Sequence, residues 1–80
     1  MLHYCLSNHA VEMKRERDIH GEWIDMTIEN PDFTEHRNDG TMHYLRSISD
    51  KEGRFLRVIV NPSVDPCRVI TLFFDRRIHR

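Results

Sequence analysis

The apolar pattern of this chain changes period at Pro31. Ahead of that residue, Ala10, Met13 and the stem of Arg17, and then Trp23, Ile24, Thr27 and Ile28, recur as one face of a helix requires. Beyond it the alternation is that of strands, where successive side chains point to opposite faces. Asn38-Asp39-Gly40, Asp50-Lys51-Glu52-Gly53 and Asn61-Pro62-Ser63-Val64-Asp65-Pro66 are turn signals that cut the second half at regular intervals. Helices followed by turn-linked strands predict an α+β domain in which a helical hairpin packs on one face of an antiparallel sheet.

The predicted order is β-α-α-β-β-β-β. Residues 2–6 alternate and suit an opening strand. Ser7 and Asn8 offer capping oxygens to a helix over 8–17, a run without Gly or Pro. A second helix over 21–29 ends at Pro31, and its acidic residues Glu22, Asp25 and Glu29 read as a solvated face. Strands are expected near 33–37, 41–48, 54–60 and 67–74. With 80 residues, 39% of them hydrophobic and 31% charged, the chain supports a single domain over 1–80 with a modest core. No apolar run approaches the roughly 18 residues that cross a bilayer. Met1-Leu2-His3-Tyr4-Cys5-Leu6 also lacks the basic start and apolar stretch of a signal peptide. A cytoplasmic protein without a membrane partner is therefore expected.

Alternation also assigns faces. Leu56, Val58 and Val60 form a purely apolar set that must meet the helices, which turns Phe55, Arg57 and Ile59 the other way. In the last strand Ile70, Leu72 and Phe74 read as core, with Val69, Thr71 and Phe73 on the open face. That second face is apolar with nothing left to cover it, and it holds Arg57 and Thr71, so it is a candidate cleft or partner surface.

Charge is divided unevenly along the chain. Residues 1–40 sum to −5 and residues 41–80 to +4, and seven of the eight cations in the second half are arginines. Arginine suits forked contacts to phosphate. Six histidines raise the question of a metal, but His3, Cys5 and His9 straddle a strand-to-helix turn and match no zinc spacing. Cys5 and Cys67 read as free thiols. No Gly-rich phosphate loop, GxSxG or HExxH stands in the chain, and neither a metal nor another cofactor is expected.

Histidine with arginine has a coherent chemistry. Cleaving RNA needs a base for the 2′-OH, an acid for the leaving 5′ oxygen and cations for the phosphorane, because the nucleophile belongs to the substrate. His9 and His43 are the candidate acid and base. Arg46, Arg57 and Arg76, with Arg77 beside it, are the candidate phosphate ligands. Each also has a structural reading: His9 as a residue that orders Ser7 and the first turn, His43 as an exposed strand residue, Arg57 as half of an ion pair with a carboxylate such as Asp75.

Leu6-Ser7-Asn8-His9-Ala10-Val11-Glu12, Arg17-Asp18-Ile19, Trp23-Ile24 and Glu29-Asn30-Pro31 together resemble the start of small bacterial domains with a Ser-x-His-Ala motif, a family grouped with the RelE/ParE-like toxins. Arg57-Val58-Ile59-Val60, Val69-Ile70-Thr71 and Asp75-Arg76-Arg77 are similar to its closing strands. The resemblance implies the same β-α-α-β-β-β-β fold and a toxin of a type II toxin–antitoxin pair, commonly an mRNA endonuclease. It further implies a cognate antitoxin and RNA, ribosome-bound mRNA included, as partners. It carries His9, Arg57 and Thr71 over as catalytic positions and Arg17 as a substrate-binding one. The Lys-rich catalytic strand of RelE has no counterpart, since Lys14 and Lys51 are the only lysines. The alternative is a binding module without catalysis, either a ParE-like target poison or a protein-docking domain.

Overall fold

A computed structural model describes residues 3–78. The elements are β1 (Tyr4–Leu6), α1 (Asn8–Glu16), α2 (Gly21–Glu29), β2 (Phe33–His36), β3 (Met42–Ile48), a 3-10 turn (Ser49–Lys51), β4 (Arg54–Asn61) and β5 (Cys67–Asp75). All the expected elements are present, with ends displaced by a residue or two; position 2 of the expected first strand lies outside the described residues.

The sheet runs β1-β5-β4-β3-β2. It is mixed, which corrects the expectation of an antiparallel sheet. The meander β2 to β5 is antiparallel, but β1 pairs in parallel with β5, with Leu6 opposite Val69. Turn signals specify neighbours joined by hairpins and are silent about a strand that precedes both helices. Such a strand can return beside the last one only through a long crossover, the connection parallel pairing requires.

Both helices cover one face of the sheet, α1 lying on β1 and β5 and α2 on β3 and β4. Ser7 caps α1: its Oγ accepts from the Ala10 amide at 3.0 Å and donates to the Ile70 carbonyl at 2.8 Å. Ala10, fully buried, has a side chain small enough to let the helix sit close on β5. The resembled Ser-x-His-Ala motif is therefore an anchor, with Ser7 and Ala10 fixing the helix to the last strand. From α2, Trp23, Ile24 and Ile28 join Leu56, Val58, Val60 and Leu72 in the core, as the strand pattern predicts, and Val69 joins them against it. Asp25 is exposed, as expected, and also accepts a hydrogen bond from the Tyr4 hydroxyl.

One face assignment reverses. Ile59 pairs with Thr71 while Val60 pairs with Val69, so Ile70 is an extra residue in β5. This bulge turns Val69 into the core, fully buried, and leaves Ile70 half-buried. Strict alternation had placed the two the other way.

Candidate active site on the open sheet face

The face away from the helices is built in rows across four strands. Thr71, Ile59, His43 and Glu35 stand opposite one another in one row, Phe73, Arg57, Leu45 and Phe33 in the next, and Asp75, Phe55 and Ser47 in a third. This face is less open than alternation suggests: Leu45, Phe55, Arg57 and Asp75 are buried on it. The Phe33 ring lies 5.9 Å from that of Phe55, and the Arg77 guanidinium lies against Asp75, so side chains supply part of the cover.

Arg57 sits in the middle row, and its side chain is only 5% exposed. Rows on one face are about 7 Å apart, within reach of a guanidinium on either side. Towards the third row its Nε donates to Asp75 Oδ2 at 2.8 Å. Towards the first row its Nη1 lies 3.0 Å from Glu35 Oε1 and 2.8 Å from His43 Nδ1. The pairing with Asp75 foreseen from sequence is thus present, within a larger network. Arg77 holds the far side of Asp75 through its backbone amide at 3.0 Å and through Nε and Nη2 at 3.1 Å each. Arg37 donates to Glu35 at 2.6 Å.

These contacts fix protonation states. A guanidinium has no lone pair, so His43 Nδ1 must accept, which makes the ring neutral with its proton on Nε2. Burial, and then the charges of Arg57 and Arg37, hold the His43 pKa below its usual value. Hydrogen bonds from Arg57 lower Glu35 and keep it ionised. Hydrogen bonds from Arg77, outweighing its burial and joined by those of Arg57, hold Asp75 well below the ordinary carboxylate range. Among the described residues no three His, Cys, Asp or Glu converge as a metal would require.

Of the residues singled out from sequence, His43, Arg57, Thr71 and Arg77 come together on this face. The others do not join them. His9 is exposed on α1, and Arg17 is the residue that closes that helix, so both belong to the layer across the sheet. Arg46 points to the helix side, where it donates to the carbonyl of Asn30 at the end of α2. Its Nε is buried without a hydrogen-bond partner among the described residues. Arg76 is exposed and lines a concavity with Arg17.

A profile described as a domain of unknown function, DUF4258, matches residues 6–74, from the end of β1 almost to the end of β5. The chain belongs to the DUF4258 family. That description names no activity and no tie to the RelE/ParE-like toxins. No curated protein and no solved structure matches the sequence. In this DUF4258 domain the matched span contains Ser7, Ala10, Glu35, His43, Arg57 and Thr71, whereas Asp75 and Arg77 lie just past it.

Glu35 is the participant that sequence reasoning missed. Alternation puts Phe33, Glu35 and Arg37 on one side of the second strand, but only the register of β2 against β3 sets Glu35 opposite His43. The signal available was the alternation itself, combined with the need of a buried Arg57 for more than one anion.

Proposed function

We propose that this domain is a metal-independent endoribonuclease of the toxin kind, held in check by a cognate antitoxin, with its chemistry on the open sheet face. The observation that supports this reading most is the meeting of a carboxylate and an imidazole on one buried guanidinium, each within 3.0 Å of Arg57 Nη1.

Glu35, ionised and 35% exposed, is the base that takes the proton of the 2′-OH. The freed oxygen attacks phosphorus, and Arg57 and Arg77 stabilise the charge on the phosphorane. The bond from phosphorus to the 5′ oxygen then breaks, and His43 in its protonated form gives that oxygen a proton. The products are a 2′,3′-cyclic phosphate and a free 5′-OH. Imidazolium is disfavoured while Nδ1 faces Arg57, so His43 charges only when a bound phosphodiester offsets the guanidinium. Thr71, in the row of His43 and Glu35 but beyond Ile59, lines the place where a nucleotide would lie.

The test is incubation of purified protein with single-stranded RNA in the presence of EDTA. Cleavage with cyclic-phosphate ends is expected, and Glu35→Gln and His43→Ala should each lower the rate about 100-fold or more, in line with the loss of a general acid or base. Expression of the parent should arrest growth, and Glu35→Gln should relieve it. RNA left intact, or variants as active as the parent, would refute the reading. The ion pairs of Arg57 are complete without a ligand, which favours a docking module as the second reading; intact RNA in that assay would support it.

A further inference from the structure

Away from the network of Arg57, a concavity of about 530 Å³ opens where α1 ends, beside the 3-10 turn and the end of β5. Arg17, Lys51, Arg54 and Arg76 line it, with Met13 and Phe74 as apolar lining. No carboxylate lines it, and none of its four cations belongs to an ion pair among the described residues. Elsewhere on this molecule arginines near the sheet end are paired: Arg37 with Glu35, Arg77 and Arg57 with Asp75. Four cations drawn from α1, the 3-10 turn, β4 and the tail of β5 converge here without such compensation. A concave surface of one sign focuses its field and concentrates anions.

A second concavity, of about 510 Å³, shares Arg54, Phe74 and Arg76 with the first and is also lined by two carboxylates, Glu52 and Asp75, the latter the one that holds Arg57. The cationic cavity meets the candidate catalytic face at Phe73, which lines the cavity and stands opposite Arg57 in its row. Three of its four cations are arginines, whose forked donors fit phosphate oxygens.

We propose that this cavity binds a backbone phosphate of single-stranded RNA, one flanking the phosphodiester held at Arg57. The proposal rests on the nuclease reading above and adds to it the path of the strand. It also explains how Arg17 and Arg76, remote from His43, serve the same substrate: they hold a neighbouring phosphate and touch no reacting atom.

The single tryptophan supplies a reporter. Lys51 Nζ lies 5.7 Å from the centre of the Trp23 ring, and Trp23 meets Phe74 edge-on at 6.1 Å, so a phosphate that draws Lys51 away alters Trp23 emission. The experiment titrates the protein with a 2′-O-methyl RNA hexamer, which lacks the nucleophile and stays intact. The parent should bind with a Trp23 signal and a salt-dependent affinity. Arg54→Gln/Arg76→Gln should weaken binding at least 10-fold and reduce the slope of log affinity against log salt by about 0.7 for each arginine removed. Arg17→Gln, at an exposed cation of the same cavity contributed by α1, should weaken it in the same direction, and Glu35→Gln should bind at least as tightly as the parent. Affinity within twofold and an unchanged slope in the double variant would overturn the cavity assignment whatever the cleavage assay gives. Displacement of the hexamer by an equal concentration of a poly-Glu peptide would overturn it in favour of an acidic protein segment. Weakened binding in the double variant together with full cleavage by Glu35→Gln would sink the catalytic assignment and leave the cavity standing.

Discussion

Removing the guanidinium of Arg57 tests whether the open face is held by its charge network. Arg57→Met keeps an unbranched stem of similar reach and deletes the bonds to Asp75, Glu35 and His43. Asp75, with a side chain 2% exposed, is then left with Arg77 alone, which is 80% exposed. Breaking a buried pair from one side costs about 3–5 kcal/mol, because a charge stays buried without its counter-ion. The hydrogen bonds that Arg77 retains to Asp75 place this case at the lower end, about 3 kcal/mol. Glu35 adds little, about 0–1 kcal/mol, since its carboxylate is 35% exposed and keeps Arg37 once Arg57 is gone. Against a total of about 4–12 kcal/mol for a chain of this length, that loss is large. It corresponds to a fall in Tm of about 12–24 °C. Urea unfolding followed by Trp23 fluorescence and far-UV circular dichroism measures it directly, with an unchanged m-value expected. Arg57→Met/Asp75→Leu closes a double-mutant cycle, and because it removes the orphaned carboxylate its loss should fall short of the summed single losses by at least about 1 kcal/mol. A loss under about 0.5 kcal/mol in Arg57→Met, the range of ordinary surface changes, or strict additivity in the cycle, would refute the argument that a desolvated pair holds this face.

Ser7→Ala removes the cap of α1 and its tie to the β5 bulge, and should cost about 1–2 kcal/mol in the same urea assay. Val58→Ala, at a fully buried position opposite Tyr44 and Leu72, should cost about 1–3 kcal/mol. Folding stability should fall with acidity in two windows. The lowered His43 pKa means that the unfolded chain binds a proton first, so stability declines as pH drops below 6.5. The depressed Asp75 pKa adds a steeper loss below about pH 4, which Asp75→Asn should flatten. In the cleavage assay the alkaline limb of kcat/KM should fall below pH 6.5 and that of kcat should lie higher, since bound phosphate favours imidazolium; coincident limbs would contradict the role given to His43.

The elements were legible because each rests on local chemistry. Ser7 before a Gly-free run, Pro31 after a helical stripe, and Gly40 at φ +88° in its turn each leave a mark in one dimension. What could not be read was relational. The parallel seat of β1 depends on which sheet edge is vacant once the meander has formed, and no turn residue encodes that. The bulge at Ile70 shifts Val69 by one position, and two adjacent β-branched residues give no sign of which one faces inward. The candidate site divided along the same line. Arg57 declared itself as a lone cation between Leu56 and Val58, on a strand of apolar residues, and that isolation demanded a carboxylate. Glu35 did not, because it stands among polar neighbours in an exposed edge strand, and its meaning comes from register alone. His9 stands apart from this face because it sits between Ser7 and Ala10, whose conspicuous spacing serves the docking of a helix across the sheet.

The network on the open face holds more positive than negative charge. Arg37, Arg57 and Arg77 face Glu35 and Asp75 with His43 neutral, which leaves one net positive charge around a guanidinium that is itself buried. The excess lies on Arg37 and Arg77, whose side chains are 48% and 80% exposed and so open to an anion from solution. A phosphodiester carries one negative charge, so its arrival would complete the balance. The same arrival would relieve the conflict between Arg57 and a protonated His43, since the guanidinium would then have an anion to turn to. On the proposed reading stability and chemistry would share one set of contacts: Asp75 anchors Arg57 from the third row, and Glu35 and His43 hold its other end, where a substrate would meet it. The cations that line the far side of β5 extend this excess towards α1, which is the direction a strand of RNA would have to follow to leave the face.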